Sequence, residues 1–300
     1  MLLALALPSA AGAKPRLAGV FDVSEMPGQI TRGSGGTMWA IVGSKLARIR
    51  PNGDVTEFAP PELSAPEGIT LGRDGNLWLT GNQEVVKVPP SDPENAAEEF
   101  AVAAIGTPQR IVNGPQGKLW TASGDQLVSF DPADPLGFDA RTIDDMNARG
   151  IAAAAGKIWI VDFGGKRIIR TKPSGGLKSF AVGGGPQEVA TGPKRRAAYT
   201  NQGTDPHTVG RIVPGRKPIK NKVDDTDPFG ITFAGDGNWW VANFASSNLT
   251  MLPSKGKPKQ RLNALPDNSG PRHLAPGAKG TLWVSLETSE QIARIKGVKR

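Results

Sequence analysis

The stretch Gly75-Asn76-Leu77-Trp78 is one copy of a short pattern that runs through the whole 300-residue chain. The pattern is a glycine, a variable residue, an apolar residue and then an aromatic one. The aromatic position falls at Trp39, Trp78, Trp120, Trp159, Tyr199, Trp240 and Trp283. The copy that ends at Tyr199 reads Arg196-Ala197-Ala198-Tyr199 and lacks the glycine. Successive aromatics are 39 to 43 residues apart, so the chain consists of seven related units.

Each unit shows the same order of short segments around this aromatic. A Pro-x-x-apolar motif such as Pro66-Glu67-Gly68-Ile69 opens the unit, and a glycine turn separates it from the aromatic segment. An alternating segment such as Val85–Val88 and a short fourth segment follow. Alternation bounded by Pro and Gly indicates β-strands and turns. Four strands in every unit of about forty residues predict an all-β, seven-bladed β-propeller with four-stranded antiparallel blades.

The two ends of the chain suggest how the ring closes. The last unit ends after its third strand, Ile292–Ile295, and the chain begins with a lone strand-like segment, 17–23. This segment resembles the fourth strands of the other units. We therefore expect the N-terminal strand to complete the last blade, which removes the open edge of the sheet. The aromatics are expected to pack between neighbouring blades.

Composition restricts the possible functions. The chain has no cysteine, which excludes disulfides, thiolate metal sites and cysteine nucleophiles. Its formal net charge is +8, but the basic residues are scattered along the chain apart from a modest cluster at Lys296, Lys299 and Arg300. We therefore expect no nucleic-acid binding.

Residues 1–13 read MLLALALPSAAGA, a short apolar run that ends in a small-x-small pattern. The pattern predicts a signal peptide and a secreted or periplasmic protein, although the usual basic start of such a peptide is missing. The run is too short to span a membrane, and no later stretch is long enough. The expected domain organisation is a signal peptide at 1–13 and one propeller domain at 14–300.

The repeat resembles that of the streptogramin B lyase, or virginiamycin B lyase, family. Gly68-Ile69-Thr70 followed by Asp74–Thr80 carries the resemblance, as does Gly230-Ile231-Thr232 followed by Asp236–Trp240. NHL-type and gluconolactonase-like propellers share the repeat more loosely. The resemblance implies a lyase that opens a cyclic depsipeptide by elimination at its ester bond, without water and with a divalent metal, usually Mg²⁺. It further implies a histidine base in a Pro-His-Gly motif and a metal-holding glutamate three residues after a blade tryptophan.

This sequence departs from that pattern at both positions. The last unit reads Pro271-Arg272-His273, so the histidine comes one residue late. Leu286 stands three residues after Trp283, and Glu287 again comes one late. A slip of one residue turns a strand side chain to the other face, although a β-bulge can restore it. His273 and Glu287 are the candidate catalytic pair, whereas His207 is expected to be a surface histidine.

Ligands of propellers usually bind at the mouth of the central channel, where strand A starts and strand B ends. The expected ligand-binding residues are the second residues of the opening motifs: Glu67, Gln109, Arg149, Gln187 and Arg272. Asp162, Asn201 and Asn243 at the ends of strands B are the candidate ligands of Mg²⁺ or Ca²⁺. Arg149 and Arg272 are suited to a carboxylate or phosphate.

Three functions remain open from the sequence. The first is a monomeric propeller that binds a small molecule or a protein at the channel mouth. The second is a metal-dependent lyase of the streptogramin type, and the third is a gluconolactonase-like hydrolase.

Overall fold

The structure is a computed structural model that describes residues 14–60, 62–102, 106–203, 206–223 and 227–299, without the side chains of 260 and 261. The expected signal peptide at 1–13 lies outside the described residues. Within them, 28 strands form seven four-stranded antiparallel sheets. The fold is therefore the all-β, seven-bladed propeller that the repeat predicts.

The blades follow one another along the chain after the N-terminal strand β1 (Arg16–Asp22). Blades 1 and 2 comprise β2 (Pro27–Arg32), β3 (Met38–Val42), β4 (Lys45–Ile49), β5 (Val55–Phe58), β6 (Gly68–Leu71), β7 (Leu77–Gly81), β8 (Glu84–Val88) and β9 (Glu98–Ala101). Blades 3 and 4 comprise β10 (Arg110–Asn113), β11 (Leu119–Ser123), β12 (Gln126–Asp131), β13 (Asp134–Thr142), β14 (Ala148–Ala154), β15 (Lys157–Asp162), β16 (Arg167–Lys172) and β17 (Gly175–Ala181). Blades 5 and 6 comprise β18 (Pro186–Gly192), β19 (Arg196–Asn201), β20 (Thr208–Ile212), β21 (Ile219–Lys222), β22 (Pro228–Phe233), β23 (Trp239–Asn243), β24 (Asn248–Leu252) and β25 (Lys259–Leu262). Blade 7 comprises β26 (Pro271–Pro276), β27 (Thr281–Leu286) and β28 (Gln291–Lys296), with β1 as its fourth strand.

The first strand of every blade, called strand A, lies next to the central axis. Strands A of neighbouring blades contact one another around the whole ring. Short 3-10 turns at Ser34–Gly36, Pro115–Gly117 and Ala278–Gly280 join strands A and B in blades 1, 3 and 7. These turns lie at the rim opposite the channel mouth, because strand A begins at the mouth and runs away from it.

The N-terminal strand closes the ring as expected. β1 pairs antiparallel with β28, with Leu17 opposite Ile295 and Phe21 opposite Ile292. The Phe21 ring stacks on Trp283 with centroids 5.6 Å apart. Both ends of the chain therefore share one blade, and its sheet has no unpaired strand between them.

The core consists of the layers between blades. All six predicted tryptophans are at most 5% exposed, and they pack against strands of neighbouring blades. Burying one such ring contributes about 2–3 kcal/mol. No helix in the described part of the chain is long and apolar enough to cross a membrane.

Blade 5 differs from the expectation by one residue. In the other blades the tryptophan pairs with the residue four positions after the first residue of the opening motif, as Trp240 does with Thr232. In blade 5 the motif begins at Pro186, and the corresponding pair is Ala190 with Ala198. Tyr199 is therefore on the other face, where it packs with Trp159. Trp239 of blade 6 packs against Ala198, and its indole N–H donates to the Ala190 carbonyl at 3.2 Å. The neighbouring blade thus supplies the aromatic that blade 5 lacks.

Candidate functional site

A β-bulge at the start of strand A shapes the channel mouth. In five of the seven blades the register shifts by one residue there. In blade 7 Pro271 pairs with Leu286 and Leu274 with Val284, so Arg272 and His273 together face Ser285. The Ser285 hydroxyl accepts the His273 backbone N–H at 3.0 Å. Because a bulge places two residues against one, it allows neighbouring side chains to point toward the same space.

The second residues of the opening motifs form a ring around the mouth. They line a cavity of about 410 Å³, the mouth cavity, together with residues of blades 1 and 7. Its second-position members are Gly28, Glu67, Gln109, Arg149, Gln187, Phe229 and Arg272. The five side chains predicted to bind a ligand therefore surround one cavity. The cavity extends toward blade 1, where Gly28 and Gly43 line it.

The third residues form a second ring, one layer deeper in the channel. Blades 1, 3, 5 and 7 contribute Gln29, Arg110, Glu188 and His273, which line a smaller channel cavity of about 110 Å³. Blades 2, 4 and 6 carry glycine instead, at Gly68, Gly150 and Gly230. A Cβ at each glycine would press on backbone atoms of the following blade. The alternation of long side chains with glycine therefore lets the strands A approach closely.

Arg110, Glu188 and His273 form a charged network in this inner ring. The Glu188 carboxylate is ion-paired with Arg110, and it accepts the Ile231 backbone N–H at 2.8 Å. Nδ1 of His273 lies 3.2 Å from Nη2 of Arg110 and 3.5 Å from Oε1 of Glu188. These side chains are only 10–15% exposed, so the network is enclosed by the strands around it.

The network fixes the charge states of its members. Burial alone raises the pKa of Glu188, but Arg110, His273 and the Ile231 N–H together hold that pKa below its ordinary value. Burial and the positive charge of Arg110 lower the pKa of His273, and Glu188 opposes them only in part. Glu188 is therefore a carboxylate and His273 a neutral imidazole at neutral pH.

Arg272 and Glu287 form the second ion pair of the mouth. Nη1 of Arg272 donates to both carboxylate oxygens, at 2.7 and 2.5 Å. The guanidinium lies over the Phe229 ring, 4.2 Å from its centroid, and Phe229 meets the His273 ring edge-on at 5.5 Å. The structure thus places both candidate catalytic residues, His273 and Glu287, at the same cavity. At this cavity Glu287 is ion-paired with Arg272.

Arg149 and Glu67 are the exposed charges of the mouth cavity. Nη1 of Arg149 donates to Oε1 of Gln187 at 2.6 Å, and the guanidinium lies 4.4 Å over Phe163. Partial burial lowers the pKa of Arg149, Arg272 and Arg110 add to this effect, and Glu67 opposes it. Neither Arg149 nor Glu67 has an oppositely charged partner within 4.0 Å among the described residues.

The three candidate metal ligands are not at the mouth. Asp162, Asn201 and Asn243 are fully buried. Each ends strand B opposite the first residue of strand A, so its side chain lies beneath the loops of its own blade. Asp162 accepts the backbone N–H groups of Asn147 and Gly165 and is ion-paired with Arg167. The expected convergence of these three oxygen ligands does not occur.

The mouth does not fit the divalent metal that the resemblance implies. Three carboxylates lie at the channel, and two of them, Glu188 and Glu287, are ion-paired with Arg110 and Arg272. Across the described ranges, no three His, Asp or Glu side chains are grouped closely enough to hold a metal ion. Glu67 is therefore the one carboxylate of these three that is not ion-paired with an arginine among the described residues.

Two residues of the site were missed by reasoning from the sequence. Arg110 and Glu188 occupy the third motif position, which a regular strand would turn away from the second. The signal for them was present in the alternation of glycine with long polar residues at that position. Glu188 reaches the channel at a register shift in blade 5, whereas Arg110 lines it from a strand pair without a shift.

Comparison with known proteins agrees with this architecture. A virginiamycin B lyase structure from Staphylococcus aureus is 17% identical, covers 94% of this chain and 99% of that chain, and has a TM-score of 0.83. A catalytically inactive histidine-to-alanine variant of that enzyme with quinupristin has 16% identity, the same coverage and a TM-score of 0.82. A protein described as a candidate gluconolactonase is 15% identical, with 95% and 92% coverage and a TM-score of 0.54. These likenesses establish the shared fold.

Sequence comparisons give the family. No curated protein matches this sequence. The sequence model of the virginiamycin B lyase family matches residues 19–215, about two thirds of the chain. The chain therefore belongs to the virginiamycin B lyase family.

Proposed function

We propose that this protein binds a small zwitterionic, peptide-like ligand in the mouth cavity and that binding needs no metal. The observation that supports this proposal is that, among the described residues, Arg149 and Glu67 have no oppositely charged partner at the cavity, whereas its other charges are paired. Arg149 is positioned to bind a carboxylate, and Glu67 to accept hydrogen bonds from an amine. Phe229 and the exposed Met26 offer apolar contacts. The cavity of about 410 Å³ is of the size that holds small-molecule ligands.

The probes that test this proposal are three forms of glycyl-phenylalanine. The free dipeptide carries both charges, the N-acetyl form only the carboxylate, and the C-terminal amide only the amine. Calorimetric titration in the presence of EDTA is expected to show the tightest binding for the free dipeptide. Arg149→Gln should weaken the free and acetylated forms about tenfold, since a charge-assisted hydrogen bond is lost. Arg170→Gln, which removes a cation outside the mouth cavity, is the matched control.

Two results would overturn the proposal. One is no binding of any form at millimolar concentration. The other is equal binding by the protein and its Arg149→Gln and Glu67→Gln variants.

The second candidate function is the lyase reaction of the family. The observation in its favour is that His273 and Glu287 line one cavity, with His273 as a neutral imidazole able to take a proton. Its test is incubation of the purified protein with a streptogramin B and Mg²⁺, followed by mass and retention-time analysis. We expect the cyclic depsipeptide to remain unopened, because Glu287 is ion-paired with Arg272. A linear product would establish the lyase function instead.

We further propose that the protein acts as a monomer outside the cytoplasm. Only the apolar run at 1–13 supports the location. N-terminal sequencing of protein recovered from the producing cell tests it, and a mature chain that begins at Lys14 is expected. Light scattering coupled to size exclusion tests the oligomeric state.

A further inference from the structure

A basic groove lies at the junction of blades 7 and 1, at the rim opposite the mouth. We call it the seam groove, and its volume is about 450 Å³. Gly35, Pro51, Ala278 and Trp283 supply its apolar walls. Its basic side chains are Arg16, Lys279, Arg294, Lys296 and Lys299, and no acidic residue in the described part of the chain lines it. The seam groove is therefore a concave surface with charge of one sign.

One of the five cations, Arg294, makes contacts that hold the two blades together. Nη1 of Arg294 donates to the Pro51 carbonyl at 2.7 Å, and its guanidinium lies over Phe21 and Trp283, 5.3 and 5.5 Å from the ring centroids. Arg294 thereby joins blade 7 to blade 1. The other four cations are exposed, and none has a carboxylate within 4.0 Å in the described part of the chain.

The closing strand pair places two like charges opposite each other at this groove. Arg16 of β1 is directly opposite Lys296 of β28. Like charges directly opposite each other destabilise a strand pair. The pair that holds the ring closed therefore begins with an uncompensated repulsion.

The fold itself does not require this excess charge. An equivalent groove of about 400 Å³ lies between blades 3 and 4, next to the turn Pro115–Gly117. There Lys118 is ion-paired with Asp139, and Arg141 donates to the Thr171 hydroxyl at 2.8 Å. An acidic partner is thus present at this groove for Lys118, whereas the described residues supply none for the four exposed cations of the seam groove.

We propose that the seam groove binds a small multivalent anion, of the polyphosphate or polycarboxylate type, which bridges β1 and β28. Such an anion contacts cations on both strands and removes the repulsion between Arg16 and Lys296. Several anionic groups on one molecule match several cations around one concave wall. Because β1 closes the ring, the bound anion stabilises the folded chain by mass action. The proposal is independent of ligand binding at the mouth.

The test is thermal unfolding with tripolyphosphate or citrate at an ionic strength held constant with NaCl. At an anion concentration 100-fold above the dissociation constant, the melting temperature is expected to rise by about 4 °C for a chain of this length. A rise with tripolyphosphate alone identifies a phosphate site, and a rise with both anions identifies a general polyanion site. No rise beyond the NaCl control overturns the proposal.

Variants locate the effect. Arg16→Gln/Lys296→Gln should lose at least half of the anion-induced rise. Lys118→Gln/Lys172→Gln removes two cations beside the equivalent groove and should keep the full rise. If the first variant does not fold, Lys279→Gln/Lys299→Gln tests the same groove without altering a strand. An equal rise in all variants means that the anion binds elsewhere and overturns the assignment.

Discussion

Replacing Glu188 by glutamine tests the charged network of the inner ring most directly. The substitution keeps the shape of the side chain and an oxygen that can accept the Ile231 N–H, but it removes the negative charge. Arg110, whose side chain is 15% exposed, then remains enclosed without its partner. Breaking a buried ion pair costs about 3–5 kcal/mol. We expect about 3 kcal/mol, the lower end, because the hydrogen bond to Ile231 is retained.

Urea unfolding measures this loss. A chain of 300 residues has a denaturant dependence near the upper end of the usual range, about 3 kcal/mol/M. The unfolding midpoint should therefore fall by about 1 M. Arg110→Gln/Glu188→Gln removes both charges and should be less destabilised than the sum of the single variants by about 2 kcal/mol. A midpoint within 0.2 M of the wild type, or strictly additive variants, would refute the view that Glu188 serves mainly to compensate Arg110.

Three further predictions concern the pH response, the inner-ring glycines and the core. Burial holds the pKa of His273 below 6.5, so near that pH the unfolded chain takes up a proton that the folded chain does not. The free energy of unfolding should therefore fall as pH decreases through 6.5. Urea melts at several pH values should show that His273→Gln loses this pH dependence. Gly230→Ala should destabilise by several kcal/mol in the same assay, since its Cβ would overlap the Arg272 carbonyl, whereas exposed Gly235→Ala should change stability by less than about 1 kcal/mol. Trp239→Ala should cost about 3–5 kcal/mol because it empties the space beside blade 5, and a loss below about 1 kcal/mol would contradict that packing.

The blade number and the second-position ring were predictable from the sequence because both depend on local repeats. Pro and Gly mark each turn, and the tryptophans mark each interface between blades. The N-terminal strand was predictable too, because the last unit lacks a fourth segment and a propeller with an open edge is unfavourable.

Features that depend on the pairing register of the strands could not be predicted from the local repeats. The bulge before Leu274 in blade 7 places His273 at the channel, and a separate bulge before Val189 in blade 5 does the same for Glu188. Asp162 was expected at the mouth, but strand pairing places it beneath its own loop. Tyr199 was matched to the tryptophans because it is aromatic, whereas backbone pairing gives that position to Ala198.

The number of blades limits how regularly long side chains and glycines can alternate around the inner ring. Long residues and glycines can alternate without interruption only around an even number of blades, and this ring has seven. One junction must therefore join two residues of the same kind, and here it joins two long ones, His273 of blade 7 and Gln29 of blade 1. The mouth cavity spreads over this same junction. An odd count thus breaks the rotational equivalence of the blades and gives the channel one side that differs from the others.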